Sequence, residues 1–250
     1  MSRAIASELL KLRTTRTFLA LMASAALLVA GVSVLAAAVG RYEPGGVAPS
    51  EDLVGIAWFA IVFALVLGLL AVTTEIRHGT ITPTLLATPS RGRVIGAKVV
   101  AHVLAGFAIG LIATVVNLLL VEAILSARGI DGGSSVSDAL GWVLGLSGSA
   151  ALLAGLGVGL GAVIRNQVGA LVGAFAWIFV AEPLLTAIPT VGKQVERFGL
   201  GGLLDALDGI GAGSGENLLG QLPAGLVLVA YLALFAVAGA ALLRQRDVTA

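Results

Sequence analysis

The sequence contains no cysteine and two histidines, His78 and His102, in 250 residues. Disulfides and thiolate metal sites are therefore excluded, and so is a three-histidine metal centre. Aromatic residues make up 5% and charged residues 12% of the chain. A soluble domain carries about 25% charged residues, so half of the usual solvating charge is missing. Lysine is scarce beside arginine, three against twelve. What fills the chain instead is apolar: 58% hydrophobic residues and a mean hydropathy of +1.04. A soluble fold of this length leaves too much surface in contact with water to hide that composition. The bilayer must act as solvent for most of the chain, which excludes a soluble enzyme, a disordered chain and a nucleic-acid binder.

A spanning helix needs about 20 apolar residues to cross about 30 Å of hydrocarbon. Reading from charge to charge gives six spans, about 17–39, 53–74, 99–121, 139–164, 166–188 and 222–243. The fifth is interrupted by Glu182 and Pro183. An even number of spans puts both termini on one side. That side carries eleven basic residues, the other four basic residues and nine acids. The positive-inside rule then predicts cytoplasmic termini. Basic residues followed by an apolar stretch and Ala36-Ala37-Ala38 imitate a signal peptide, but 23 apolar residues exceed the 7–15 of a signal core, so no cleavage is expected. Residues 1–16 place Ile5, Leu9 and Leu12 on one helical face among Arg3, Lys11, Arg13 and Arg16. They read as a helix lying in the cytoplasmic interface, or simply as the positive flank of the first span.

No catalytic constellation is present. There is no H-E-x-x-H and no G-x-S-x-G, and the only Gly-Lys pair, Gly192-Lys193, is followed by Gln194, so no P-loop exists. The chain is not expected to be an enzyme on its own or to bind a cofactor. The loop 75–98 is the informative segment. Thr82-Pro83 predicts a helix start, with Thr82 as N-cap and Pro83 as first helical residue. Pro89 disfavours helix at Thr88, enclosing about two turns, and Ser90 can cap the helix that follows. On the other side, residues 189–221 carry Leu200, Leu203, Leu204, Leu207 and Ile210 at helical spacing, with Asp205 and Asp208 on the opposite face. This predicts a short outer helix. Glycines spaced by four, at 106/110, 141/145, 155/159, 157/161 and 169/173, predict close helix packing. Asn117 is a candidate interhelical hydrogen-bonding partner, and Glu122 and His102 are expected near the span ends.

Glu182 is the candidate intramembrane acid. Pro183 cannot donate to the Phe179 carbonyl, so the helix is expected to break there. An unpaired charge in hydrocarbon costs at least about 2–3 kcal/mol on insertion scales, which predicts that Glu182 faces protein or a water-filled cavity. Phe175, Phe179 and Leu184 are expected to line an outer gate beside Glu182 and Pro183.

The pattern E-x-x-x-G-T, then L-L-A-T-P, then arginines and a closing G-x-K resembles the first cytoplasmic loop of type-2 ABC exporter permeases. Its members are Glu75, Gly79, Thr80, Leu85, Leu86, Pro89, Arg91, Arg93, Gly96 and Lys98. Ser7–Arg13 is similar to that family's opening helix, and the span count and topology agree with it along the whole chain. The pattern departs at Thr82-Pro83, where many members carry an acidic residue. The resemblance implies an all-α membrane protein: six transmembrane helices with an N-terminal interfacial helix, a cytoplasmic coupling helix between spans 2 and 3, and a short outer helix between spans 5 and 6. It implies one permease domain, residues 1–250, in a bacterial plasma membrane, paired as a homodimer and coupled to two copies of an ABC ATPase subunit. ATP and Mg would be bound by that partner. Glu75, Arg77, Gly79, Thr80, Pro83, Leu85, Leu86, Pro89, Arg91 and Arg93 would form the coupling surface. Membrane lipids would be its other partners. An ion- or proton-coupled secondary transporter would show more buried acids and a visible repeat, and a lipid-modifying membrane enzyme would show a catalytic cluster; both remain alternatives.

Overall fold

The computed structural model describes residues 1–42, 49–88, 90–210 and 217–245. Among these the chain is all-helical, and six helices are long and apolar enough to cross a membrane. The chain is thus a multi-pass helical membrane protein. A first helix, α1 (Ser2–Thr14), precedes α2 (Arg16–Val39). The second span begins at α3 (Pro49–Val54), passes a 3-10 turn at Gly55–Ala57 and continues as α4 (Trp58–Arg77). A short α5 (Ile81–Ala87) leads to α6 (Arg91–Ala127) and then α7 (Val136–Ile164). The fifth span comprises α8 (Gln167–Ala176), a π turn at Trp177–Ala181 and α9 (Glu182–Thr186). Two short helices, α10 (Gly192–Phe198) and α11 (Leu200–Asp208), precede α12 (Gln221–Gln245).

Local chemistry explains the boundaries. Ser135 and Asp138 form a reciprocal capping box that starts α7, and the Asn166 side chain accepts from the Gly169 N–H, 2.7 Å, to start α8. Between them Arg165 takes the left-handed conformation that closes α7. Gly79, at φ +69°, supplies the turn between α4 and α5. The start of α5 differs from the sequence expectation: Thr80 is the N-cap and Ile81 the first helical residue, with Pro83 third. A proline there forfeits nothing, because the first four N–H groups of a helix have no intrahelical partner. The second, third and fourth spans also extend beyond their expected ends, the third most of all. Spanning 37 residues, α6 is about 55 Å long and reaches past Lys98 on one side and Glu122 on the other.

The axis of the fold is α7. In its apolar window 72% of residues are buried, against 11% for the fifth span. It achieves this by presenting glycines in three directions. Gly157 and Gly161 meet α4, where a Cβ on Gly157 would lie 2.6 Å from the Leu65 carbonyl and one on Gly68 would collide with the Ala154 carbonyl. Gly155 and Gly159 meet Leu232 and Phe235 of α12, and Gly145 meets the Asp208 backbone of α11. From α6, Gly106 and Gly110 approach the α7 backbone between Leu146 and Ala154. Backbones this close gain the dispersion contacts that hold membrane helices together where lipid supplies no hydrophobic drive. Gly141 and Gly173, by contrast, face open space. Asn117 of α6 adds a polar clamp, donating to Ser33 Oγ at 2.8 Å and to the Leu53 carbonyl at 3.1 Å.

Replacing Gly68 or Gly157 by leucine should separate α4 from α7. The expected loss is at least about 1–3 kcal/mol, read as a clear fall in melting temperature in detergent. Gly173→Leu, which meets nothing within 4 Å, should leave it unchanged.

Candidate functional site

Among the described residues, two polar regions bear on the expected sites. The first lies on the side of the bundle that carries α1 and the end of α12, called the termini side below. There α1 rests on α6, and its buried residues are Glu8 and Leu12, with Ile5 and Leu9 only half-buried. Glu8 is the lone acid of a basic helix, and its reason is structural. Lys98 of α6, 1% exposed, donates to Glu8 Oε2 at 2.9 Å and to Glu75 Oε1 at 2.7 Å. Lys11 of α1 donates to Glu8 Oε1 at 2.7 Å and to the same Glu75 Oε1 at 2.9 Å. Two ammonium groups and two carboxylates thus tie α1, α4 and α6 into one neutral quartet. Burial alone would raise the Glu8 carboxyl, but Lys98 and Lys11 outweigh it and hold it below the usual range. For Lys11, burial pulls downward and the bonds to Glu8 and Glu75 prevail, so its ammonium is held above the usual value. His102, expected near a span end, is 3% exposed one turn further along α6, with Nδ1 on the Lys98 carbonyl at 2.8 Å.

The expected coupling residues divide around this quartet. Glu75 points into it. Arg77 reaches Gln167 Oε1 at 3.2 Å and so joins α4 to α8. Gly79 and Thr80 make the exposed turn, and Thr80 Oγ1 donates to the Glu75 carbonyl at 3.4 Å. In α5, Ile81 is the anchor, fully buried in a cluster with Val72 and Ile95, and Leu85 packs on its edge. Leu86 is 79% exposed, and Pro83 is exposed beside it. Arg93 is exposed on the first turn of α6, and Arg91 is half-buried. Pro89 lies outside the described residues. Sequence reasoning missed Glu8, Lys11 and Ile81. An acid among four bases in residues 1–16 was the available signal.

The second region is on the opposite side. A cleft of about 560 Å³ runs between the fifth span and α11, lined by Trp58, Ile178, Glu182, Pro183, Leu204 and Asp205 among others. Its described lining holds Glu196 as a further acid and no basic residue. Glu182, 6% exposed, accepts from the Gly201 N–H at 2.6 Å, which fastens α9 to the start of α11. The expected helix break is replaced by the π turn. The Glu182 N–H donates to the Trp177 carbonyl five residues back, which accommodates the bond that Pro183 cannot make and keeps the span continuous. Phe175, Phe179 and Leu184 do not join this cleft. They are exposed, Leu184 at 63%, while Phe179 stacks edge-on against Trp58 with ring centres 5.9 Å apart. Nor do Asp205 and Asp208 share one outward face. Asp205 is exposed, but Asp208 is 4% exposed, its Oδ1 accepting from the Ile210 N–H at 3.0 Å, because α11 docks end-on against Gly145. Such a cleft favours cationic and hydrogen-bond-donating groups and disfavours anions. Compared with known proteins, the chain matches no family model and no curated protein.

Burial, with a smaller contribution from Asp205, pushes the Asp208 carboxyl up to about 7, against the pull of the Ile210 N–H. An unfolded aspartate titrates near about 3.9, so the folded state binds the extra proton between these values. Stability should therefore be full below about pH 4 as far as this group is concerned and fall as pH rises to about 7. Melting curves in detergent should show a lower melting temperature at pH 8 than at pH 5, and the difference should shrink in Asp208→Asn.

Proposed function

We propose that the chain is the transmembrane subunit of an ATP-driven exporter of the type-2 ABC class. Two copies would form the substrate pathway, and each would couple through loop 75–98 to a separate ATPase subunit that binds ATP and Mg. In this reading both termini are cytoplasmic and the membrane is the bacterial plasma membrane. The resemblance of the loop motif and the excess of basic residues on the termini side support it. One structural observation carries it furthest: α5 is anchored from beneath by Ile81 yet offers Leu86, 79% exposed, outside the apolar spans. A large apolar side chain held out on a short anchored helix suits insertion into a partner's groove. Arg77 and Arg93 flank it with positive charge for an acidic rim. Glu75 then acts from behind, joining the loop to α1 and α6, rather than by touching the ATPase. On the far side, the acid-lined cleft beneath α11 would belong to the exit, with Glu182 and Pro183 shaping it.

The test asks whether an ABC ATPase is encoded beside this chain, whether it copurifies with the chain, and whether the chain stimulates its ATP hydrolysis. Leu86→Asp should abolish both while the melting temperature stays near that of the parent, since Leu86 packs against little. Leu85 is half-buried and is a poorer probe. Normal coupling in a folded Leu86→Asp protein would remove α5 from the mechanism.

A further inference from the structure

A second, smaller cleft, of about 140 Å³, opens beside the ion quartet between α1, α2, α4 and α6. Its walls change character along α4. At one end they are apolar, with Leu67 and Leu70 facing Phe18 of α2; at the other they carry Glu75, Lys11 and Lys98. The eight residues from Leu67 to Glu75 rise about 12 Å, so the gradient runs along the bilayer normal and ends at the interface on the termini side. The cleft is too small for a drug-sized cargo, whose sites measure about 300–1,000 Å³. It suits a small polar group continuous with a hydrocarbon tail.

Three observations define that group. The quartet is neutral, so it rejects neither sign and rewards a ligand that carries both. Glu75 Oε2 is buried and has no hydrogen-bond partner, while Oε1 already accepts from both lysines. A buried anionic acceptor without a donor is costly and is met best by a donor that carries positive charge. Lys11, whose side chain is 42% exposed, lines the cleft and keeps one of its three N–H donors after its bonds to Glu8 and Glu75. We propose that this cleft binds the phosphoethanolamine headgroup of a zwitterionic phospholipid from the leaflet on the termini side. Its ammonium donates to Glu75 Oε2, its phosphate meets Lys11 Nζ, and the first carbons of a chain lie along Phe18 and Leu70. A phosphocholine group has no N–H to give to Glu75. A phosphatidylglycerol headgroup offers hydroxyl donors but no positive charge to meet the carboxylate, and it brings a net negative charge to a neutral cluster. The inference concerns this chain alone and stands or falls without an ATPase.

The experiment titrates the purified chain in detergent with phosphatidylethanolamine, its N-methyl and N,N-dimethyl derivatives, phosphatidylcholine and phosphatidylglycerol of identical acyl composition. Bound lipid is counted by native mass spectrometry. Affinity should fall stepwise as N–H groups are replaced, with phosphatidylethanolamine at least tenfold tighter than phosphatidylcholine or phosphatidylglycerol. Free phosphoethanolamine should bind at least tenfold more weakly than the lipid. Glu75→Gln keeps one oxygen for the lysines and turns the other into a donor, so it should erase the preference. Ala71→Phe fills the apolar part without touching the quartet and should lower phosphatidylethanolamine retention at least tenfold. The methylation series needs no variant, so it decides the matter even if Glu75→Gln misfolds. Equal retention of all the lipids, a preference for phosphatidylglycerol, free headgroup binding as tight as the lipid, or an unchanged preference in folded Glu75→Gln would each overturn the proposal.

Discussion

Lys98 is the constraint on which the termini side of the structure depends. An ammonium that is 1% exposed is tolerated in so apolar a chain only when carboxylates surround it, because the desolvation cost of a lone buried charge is several kcal/mol. Glu8 and Glu75 supply them, and each comes from a different helix. The consequence is mechanical. Because α1, α4 and α6 each contribute to one charge cluster, none can slide without exposing an unpaired charge to low dielectric. The turn at Gly79 and the short α5 hang from two of these three helices, so α5 is held at both ends by elements that the quartet fixes. A force applied to α5 is therefore delivered to α1 and to two membrane-spanning helices together.

The rest of the bundle is fixed by a different economy of space. Glycines at helical spacing let α7 approach α4, α6, α11 and α12 with almost no side chain between them. The fifth span, packed on few partners, keeps its apolar face outward, with Val168, Val172 and Phe179 exposed. Its π turn gives Glu182 the rotation to reach Gly201. The two polar regions thus rest on unlike supports: charge pairing near the termini, and backbone proximity with the carboxylate hydrogen bonds of Glu182 and Asp208 on the far side.

Much of this was legible in the sequence. Six spans followed from uncharged runs, since a helix in lipid announces itself by what it excludes. A short helix between the second and third spans read from local chemistry, Thr82-Pro83 and Pro89, although it starts two residues earlier than that chemistry placed it. What stayed hidden depended on partners distant along the chain. Lys98 looked like a span boundary because a lone lysine normally is one; nothing local reveals that Glu8, 90 residues away, neutralises it. Helical spacing put Asp208 on a polar face, but the end-on docking of α11 against Gly145 buried it. Spacing likewise identified glycine pairs without telling which helix each would meet. Pro183 was read as a break because the missing hydrogen bond is local, whereas the wider turn that absorbs it leaves no mark in residue spacing.

The claim that paired charges unite α1, α4 and α6 is tested most directly by a charge-balanced double variant. Lys98→Met alone leaves a net negative cluster, and its loss of stability should reach about 3–5 kcal/mol, as for other buried pairs deprived of one partner. Adding Glu8→Leu restores neutrality, leaving Lys11 with Glu75, and should recover most of that loss. It should not, however, recover the protection of α1 amides from hydrogen exchange, because the tie between α1 and α6 is gone. If Lys98→Met melts like the parent, or if Glu8→Leu adds to its cost instead of offsetting it, the quartet does not hold these helices together.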